Sequence, residues 1–178
     1  MRWINSIIPI LAISILLNSC KDNTSAAFYA GKTDDVLFID FEPDIAFPPG
    51  NNIDSIDINQ DSKYELFFET KDVPGATGFV TVPAVRATQD LNILIGGDHN
   101  MPKALSNGEI ISSSDKWCTN DTLLLLSYCE GSYGHCTIIG YWANQQNKYL
   151  GFKYKNKLGW IKMSTNQILI LKEFGIEK

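Results

Sequence analysis

From Val36 onward the chain is a succession of short apolar runs cut by turn residues, with almost no 3.6-residue periodicity. The runs are Val36 to Phe41, Ile53 to Ile58, Tyr64 to Thr70, Gly78 to Val85, Leu91 to Ile95, Leu123 to Cys129, Cys136 to Trp142, Tyr149 to Tyr154, Leu158 to Ser164 and Ile168 to Phe174. Their length and their Ile, Val, Phe and Tyr content suit half-buried strands. About ten short strands with no helical crossover predict an all-β fold, an antiparallel β-sandwich over residues 36–178, with a barrel as the alternative. Lys155-Asn156-Lys157 reads as a hairpin turn between two runs, and Glu130 to His135 as a longer one. Pro48 to Asn52 marks a turn between the first two strands, and the polar stretch from Glu109 to Asp121 leaves room for irregular structure. A domain of this size buries roughly 68% of its unfolded surface, so it does not need disulfides to fold.

The first twenty residues differ in kind. Arg2 is the sole formal charge before Lys21, and Ile7 to Leu17 is apolar apart from Pro9 and Ser14. Eleven helical residues span roughly 16 Å against about 30 Å of hydrocarbon, too short for a stable membrane span. A basic start, a medium apolar core and small residues before a cut form the pattern of a secretory leader. The segment ends Leu17-Asn18-Ser19-Cys20 and resembles a bacterial lipobox, with Asn18 departing from the usual small or aliphatic residue. The resemblance implies cleavage between Ser19 and Cys20 and a diacylglyceryl group on the Cys20 thiol. Lys21-Asp22 partly resembles the signal that sends Bacteroidetes-type lipoproteins to the outer face of the outer membrane. The expectation is a leader over 1–19, a lipidated cysteine and flexible tether over 20–35, and a domain over 36–178. Localisation is then the cell envelope, as an outer membrane lipoprotein, with surface exposure as the finer expectation.

The chain carries 20 acids against 15 bases, a net charge of -5. Removing Arg2 with the leader makes it one unit more negative. Affinity for phosphate backbones rests on clustered Lys and Arg, so no nucleic-acid partner is expected.

Three stretches resemble a group of secreted bacterial β-sandwich proteins and lipoproteins with no assigned activity. They are Asp40-Phe41-Glu42-Pro43-Asp44, Ile56 to Leu66, and Lys148 to Tyr154 followed by Leu158 to Ser164. Leu171 to Glu177 fits the same group's last strand, and residues 71–140 carry no part of the resemblance.

Within the second stretch, Asp57, Asn59, Asp61 and Glu65 occupy positions 1, 3, 5 and 9 of a D-x-N-x-D-x-x-x-E pattern. Alternate oxygen ligands on a tight loop, with the Lys63 carbonyl at position 7, suit a hard cation wanting six to eight oxygens, so structural Ca2+ is the candidate cofactor. Ser62 stands where glycine is usual and Phe68 where an acid closes such loops; Asp44 or Asp40 is the candidate to complete the shell. The competing reading is a turn in which Asp and Asn bond their own backbone.

Without Cys20, the cysteines are Cys118, Cys129 and Cys136, an odd set in an oxidising compartment. One disulfide and one free thiol is the natural outcome. Cys129 with Cys136 across the hairpin competes with Cys118 bonded to either. A zinc set with His135 lacks the C-x2-C knuckle, and His135 and Cys136 are strand neighbours that point to opposite faces. His99 lies in a glycine-rich turn.

Trp117, Tyr128, Tyr133, Tyr141 and Trp142 concentrate around the central hairpin. Tyr133, Trp117 and Trp142 are the candidate ligand-binding residues, as a platform for sugars; the alternative is core and cross-strand packing. Asp54-Ser55-Ile56 and Asp121-Thr122-Leu123 resemble a Bacteroidetes O-glycosylation acceptor, which makes Ser55 and Thr122 candidate sites. No serine-hydrolase, zincin, Walker or dinucleotide motif is present. The functional expectation is a lipid-anchored envelope lipoprotein, a non-catalytic structural or binding module that meets the membrane through its lipid and a glycan or envelope protein through its domain. A surface glycan-binding lipoprotein and a secreted hydrolase on a sandwich scaffold are the alternatives.

Overall fold

The computed structural model describes residues 27–47, 54–75, 78–97, 100–119, 121–128, 138–165 and 168–178. Among these there is no helix, and every strand pairing is antiparallel. In chain order the strands are β1 (Phe28–Tyr29), β2 (Val36–Phe47), β3 (Asp54–Ile56), β4 (Leu66–Gly75), β5 (Gly78–Ala87), β6 (Leu91–Gly96), β7 (Met101–Pro102), β8 (Ala104–Leu105), β9 (Ile110–Ile111), β10 (Trp117–Thr119), β11 (Thr122–Leu124), β12 (Ser127–Tyr128), β13 (Ile138–Ile139), β14 (Lys148–Tyr154), β15 (Lys157–Ser164) and β16 (Leu169–Glu177). The sixteen exceed the expected ten because the middle of the chain is broken into pieces of two or three residues.

The larger sheet runs β10-β6-β14-β15-β16-β2, with β7 on β6 and β8 on β14; the smaller runs β11-β5-β4-β3. Their inner faces share one core. Period-two alternation sends Leu150, Phe152, Ile161, Met163 and Phe174 from the larger sheet towards Ile56, Leu66, Phe68 and Val85 of the smaller. Phe47 and Phe68 meet across the layers with ring centroids 5.9 Å apart. This is a sandwich-like arrangement, the fold class the runs predict.

The larger sheet is also buried on part of its outer face. Phe28, Ala30, Val36, Leu94, Leu105, Ile111, Tyr149 and Trp160 form a second cluster there. Trp160 lies in register between Gly151 of β14 and Gly175 of β16. A Cβ on Gly175 would stand 2.7 Å from the indole, so the glycine makes the groove the ring occupies. Tyr149 meets the same indole edge-on at 5.3 Å, and the Trp160 Nε1–H donates to the Lys32 carbonyl at 3.1 Å. On the inner face the same logic repeats, with Phe152 opposite Gly159 and a Cβ there clashing with the edge of its ring. The glycine-aromatic pattern of the third stretch is thus a packing rule for three adjacent strands.

Two boundaries differ from expectation. Phe28 and Ala30 are buried, and Phe28–Tyr29 pairs with Ile110–Ile111, so the C-terminal part of the expected tether is folded against the domain. The small residues around it, Ala26, Ala27, Ala30 and Gly31, hid a residue that packs in one cluster with Trp160. In β2, Ile45 pairs with Leu171 and Asp40 with Glu173, leaving Phe41 to Asp44 against Lys172 alone. The Asp40 to Asp44 motif is therefore a wide bulge in an edge strand, and it contains the cis Glu42–Pro43 bond.

The central hairpin is also reorganised. Thr122 to Leu124 pairs with β5, and among the described residues Ser127–Tyr128 pairs with Ile138–Ile139. The β14–β15 hairpin turns on two residues, since Tyr154 pairs with Lys157; Lys155 takes φ 53° to close it. The Pro48 to Asn52 turn and the Glu130 to His135 loop lie outside the described residues.

Candidate functional site

The acidic loop connects β3 to β4 beneath one end of the sandwich. Its two ends are fixed because Ile56 pairs with Leu66 and Ile58 is fully buried in the shared core. Between them the side chains fold the loop around themselves. The Asp57 carboxylate accepts the N–H groups of Asp61 at 3.2 Å and Ser62 at 2.7 Å. Asn59 Oδ1 accepts the Asp61 N–H at 2.8 Å, and Asp61 Oδ1 accepts that of Lys63 at 2.9 Å. Gln60 and Ser62 adopt φ 62° and 69°, so the position usually given to glycine does demand a left-handed backbone here.

Glu65 closes the loop from the core side. It is 6% exposed, and its Oε2 accepts the Ile58 N–H at 2.9 Å. Burial pushes its pKa above the usual carboxylate range; the Ile58 bond pulls the other way, and the charges of Asp57 and Asp61 add to the rise. Oxygen atoms of Asp57, Asp61 and Glu65 all lie within 4.8 Å of one another. The Asn59 amide nitrogen sits among them, 3.2 Å from Asp61 Oδ2 and 3.4 Å from Glu65 Oε1, and donates to the Tyr154 hydroxyl at 2.6 Å. That last contact ties the loop to β14 across 95 residues of sequence, which no local pattern could reveal.

The donor set is all oxygen apart from that amide, which fits a hard cation. Asp57, Asp61 and Glu65 would hold calcium by their carboxylates, Asn59 by Oδ1 after its amide turns over, and Lys63 by its carbonyl. The ion would supply charge that backbone N–H dipoles only partly provide. Asp44 is not part of this set. It sits on the β2 bulge, 47% exposed, with Oδ2 3.6 Å from Lys172 Nζ. Asp40 lies at the same strand opposite Glu173.

The aromatic residues do not form one platform. Trp142 is fully buried in the core between the sheets, and its carbonyl accepts the Thr165 hydroxyl. Trp117 is half-buried against the outer-face cluster, with Lys153 Nζ 5.1 Å above its ring. The two indoles thus serve different cores, which corrects their expected pairing on a sugar-binding surface. Turn residues from Tyr141 to Asn144 replace the end of the expected strand and drive Trp142 inward. Tyr133 lies outside the described residues.

Cys118 is a free, half-buried thiol in β10, its pKa raised by burial and then by Asp121. The Cys129–Cys136 pairing, like Ser19 and Cys20, falls outside the described residues. Thr122 is half-buried and paired in β11, and its hydroxyl donates to Glu69 Oε1 at 3.5 Å. Ser55 is likewise half-buried in β3, opposite Phe67.

One concave surface adjoins the acidic loop and was not legible in the sequence. It is a cleft of about 560 Å³ at the mouth of the sandwich, reaching from Ile58 and Asn59 past Tyr154 to Leu37 and Ile176. Comparison of the chain with family models, with curated proteins and with solved structures finds no match.

Proposed function

We propose that this chain is a lipid-anchored, non-catalytic β-sandwich module of the bacterial envelope, with a structural calcium ion in the loop from Asp57 to Glu65. The observation that carries the loop reading is the convergence of Asp57, Asp61 and Glu65 within 4.8 Å. Three carboxylates so close repel one another, and a divalent ion neutralises them while adding several oxygen bonds. Rigidifying this loop fixes the β3–β4 connection and, through Asn59, the end of β14.

The anchor reading rests on Leu17-Asn18-Ser19-Cys20 and on the short apolar run before it. With Phe28 packed on the domain, only seven residues lie between Cys20 and the fold, so the module stands within about 30 Å of the lipid. Two or three acyl chains, at about 0.8 kcal/mol per buried methylene, hold such a module firmly.

Two experiments separate the parts. Calorimetric titration of the domain with CaCl2 yields one saturable site; an absence of heat together with an unchanged melting curve removes the calcium reading. Fractionation of cells carrying Cys20→Ala moves the protein from the membrane to the soluble pool; a variant that still sediments with membranes removes the anchor.

A further inference from the structure

We propose that the cleft at the mouth of the sandwich binds an amphiphilic carboxylate, with its apolar body on Leu37 and Ile176 and its head group against Tyr154, Lys155 and Lys157. This site goes beyond the calcium and anchor readings; because Asn59 both lines the cleft and belongs to the acidic loop, the titrations below are run in chelator.

Its volume of about 560 Å³ falls within the range of small-molecule sites. The apolar wall is the half-buried Leu37 beside Ile176, 4% exposed, with the fully buried Ile58 behind them. The rim is basic in an acidic chain. Of the charged side chains lining it, three are lysines, Lys155, Lys157 and Lys178, and one is Glu177. The Glu177 carboxylate is engaged by the Leu158 N–H at 2.8 Å. The first partner of Lys155 is the Tyr154 hydroxyl, with Asp90 and then Asp61 acting on it from outside the cleft, while no ion pair to Lys157 or Lys178 is found among the described residues.

Tyr154 supplies the directional element. Its side chain is 7% exposed, and its hydroxyl oxygen already accepts the Asn59 amide at 2.6 Å. The Lys155 ammonium lies 5.0 Å from its ring centroid. No acceptor for the hydroxyl proton is found among the described residues, and a buried donor seeks one. An anionic oxygen in the cleft meets that donor and the lysine ammoniums together, where an alcohol meets only the first and a cation is repelled by the second.

The test is calorimetric titration of the full chain with decanoate, decanol and decyltrimethylammonium. Decanoate binds saturably at one site, at least about tenfold more tightly than either control. Tyr154→Phe, which keeps the ring, and the exposed pair Lys155→Glu with Lys157→Glu each weaken decanoate by about tenfold, while Lys71→Glu on the other sheet leaves it unchanged. Equal affinity for the three probes, no saturable binding of decanoate, or unaltered affinity in both cleft variants overturns the proposal.

Discussion

Neutralising Glu65 by Glu65→Gln should change the sign of its effect with calcium. In chelator, the wild-type loop holds three carboxylates within 4.8 Å. Each pair at that separation repels by about 1 kcal/mol in water-like surroundings and by about 3.5 kcal/mol at an effective dielectric of 20. Asp57 and Asp61 lie at the open side of the loop, which favours the lower figure, so removing the Glu65 charge relieves about 2 kcal/mol. Against this, the Ile58 N–H exchanges a charged acceptor for a neutral one, at a loss of about 1 kcal/mol. The net expectation in chelator is a variant about 1 kcal/mol more stable, or roughly 2–4 °C in melting temperature for a chain of this size. Saturating calcium reverses the order, since one hundred times the dissociation constant stabilises the wild type by about 2.7 kcal/mol and the variant has lost a ligand. The pH dependence follows from the raised pKa. Between the unfolded carboxylate range and the higher folded value the native state binds more protons than the unfolded state. Stability from this group is therefore full below the unfolded pKa and lost as pH rises through the folded one. Glu65→Gln removes that decline. Paired melting curves in chelator and in a calcium series, at pH 4.5 and 7, read all of this. A variant less stable than wild type in chelator by the same margin as in calcium refutes the reasoning.

Three further outcomes test the packing. Gly175→Ala forces a Cβ to 2.7 Å from Trp160 and costs about 1–3 kcal/mol in denaturant unfolding, with a changed indole fluorescence. Phe28→Ala uncovers the outer-face cluster and costs about 3 kcal/mol, with hydrogen exchange rising first at Ile110 and Ile111; an unchanged melting curve returns residues 28–30 to the tether. Trp142→Ala costs about 3–5 kcal/mol, the loss expected of a core indole, whereas an exposed sugar platform would lose less than 0.5.

What was legible in the sequence is what repeats locally. The apolar runs Tyr149 to Tyr154 and Leu158 to Ser164 report two strands directly, and the polar turn between them reports their pairing, although both are buried on the two faces of the sheet. The acidic loop was legible for the same reason, since Asp57, Asn59, Asp61 and Glu65 act within nine residues of each other. Contacts made across the fold were not. Trp142 carries the same letter whether it faces solvent or core, and only the turn that follows β13 decides. Phe28 stands in a stretch of small and polar residues that reads as a tether, yet it packs in one cluster with Trp160, more than a hundred residues away. Glycines gave a usable signal once aligned: Gly151, Trp160 and Gly175 make sense only as one row across three strands. Asp44 was drawn to the loop by its charge, while the bulge that displaces it follows from a register offset between β2 and β16.

The loop from Asp57 to Glu65 is the centre of this account, and calcium titration of the wild-type chain by calorimetry tests it most directly. One saturable site per chain is expected, lost in an Asp57→Ala, Asp61→Ala double variant, with the melting temperature rising as the site fills. No heat of binding and superimposable melting curves in calcium and in chelator would contradict it, and leave the loop as a turn held by its own backbone bonds.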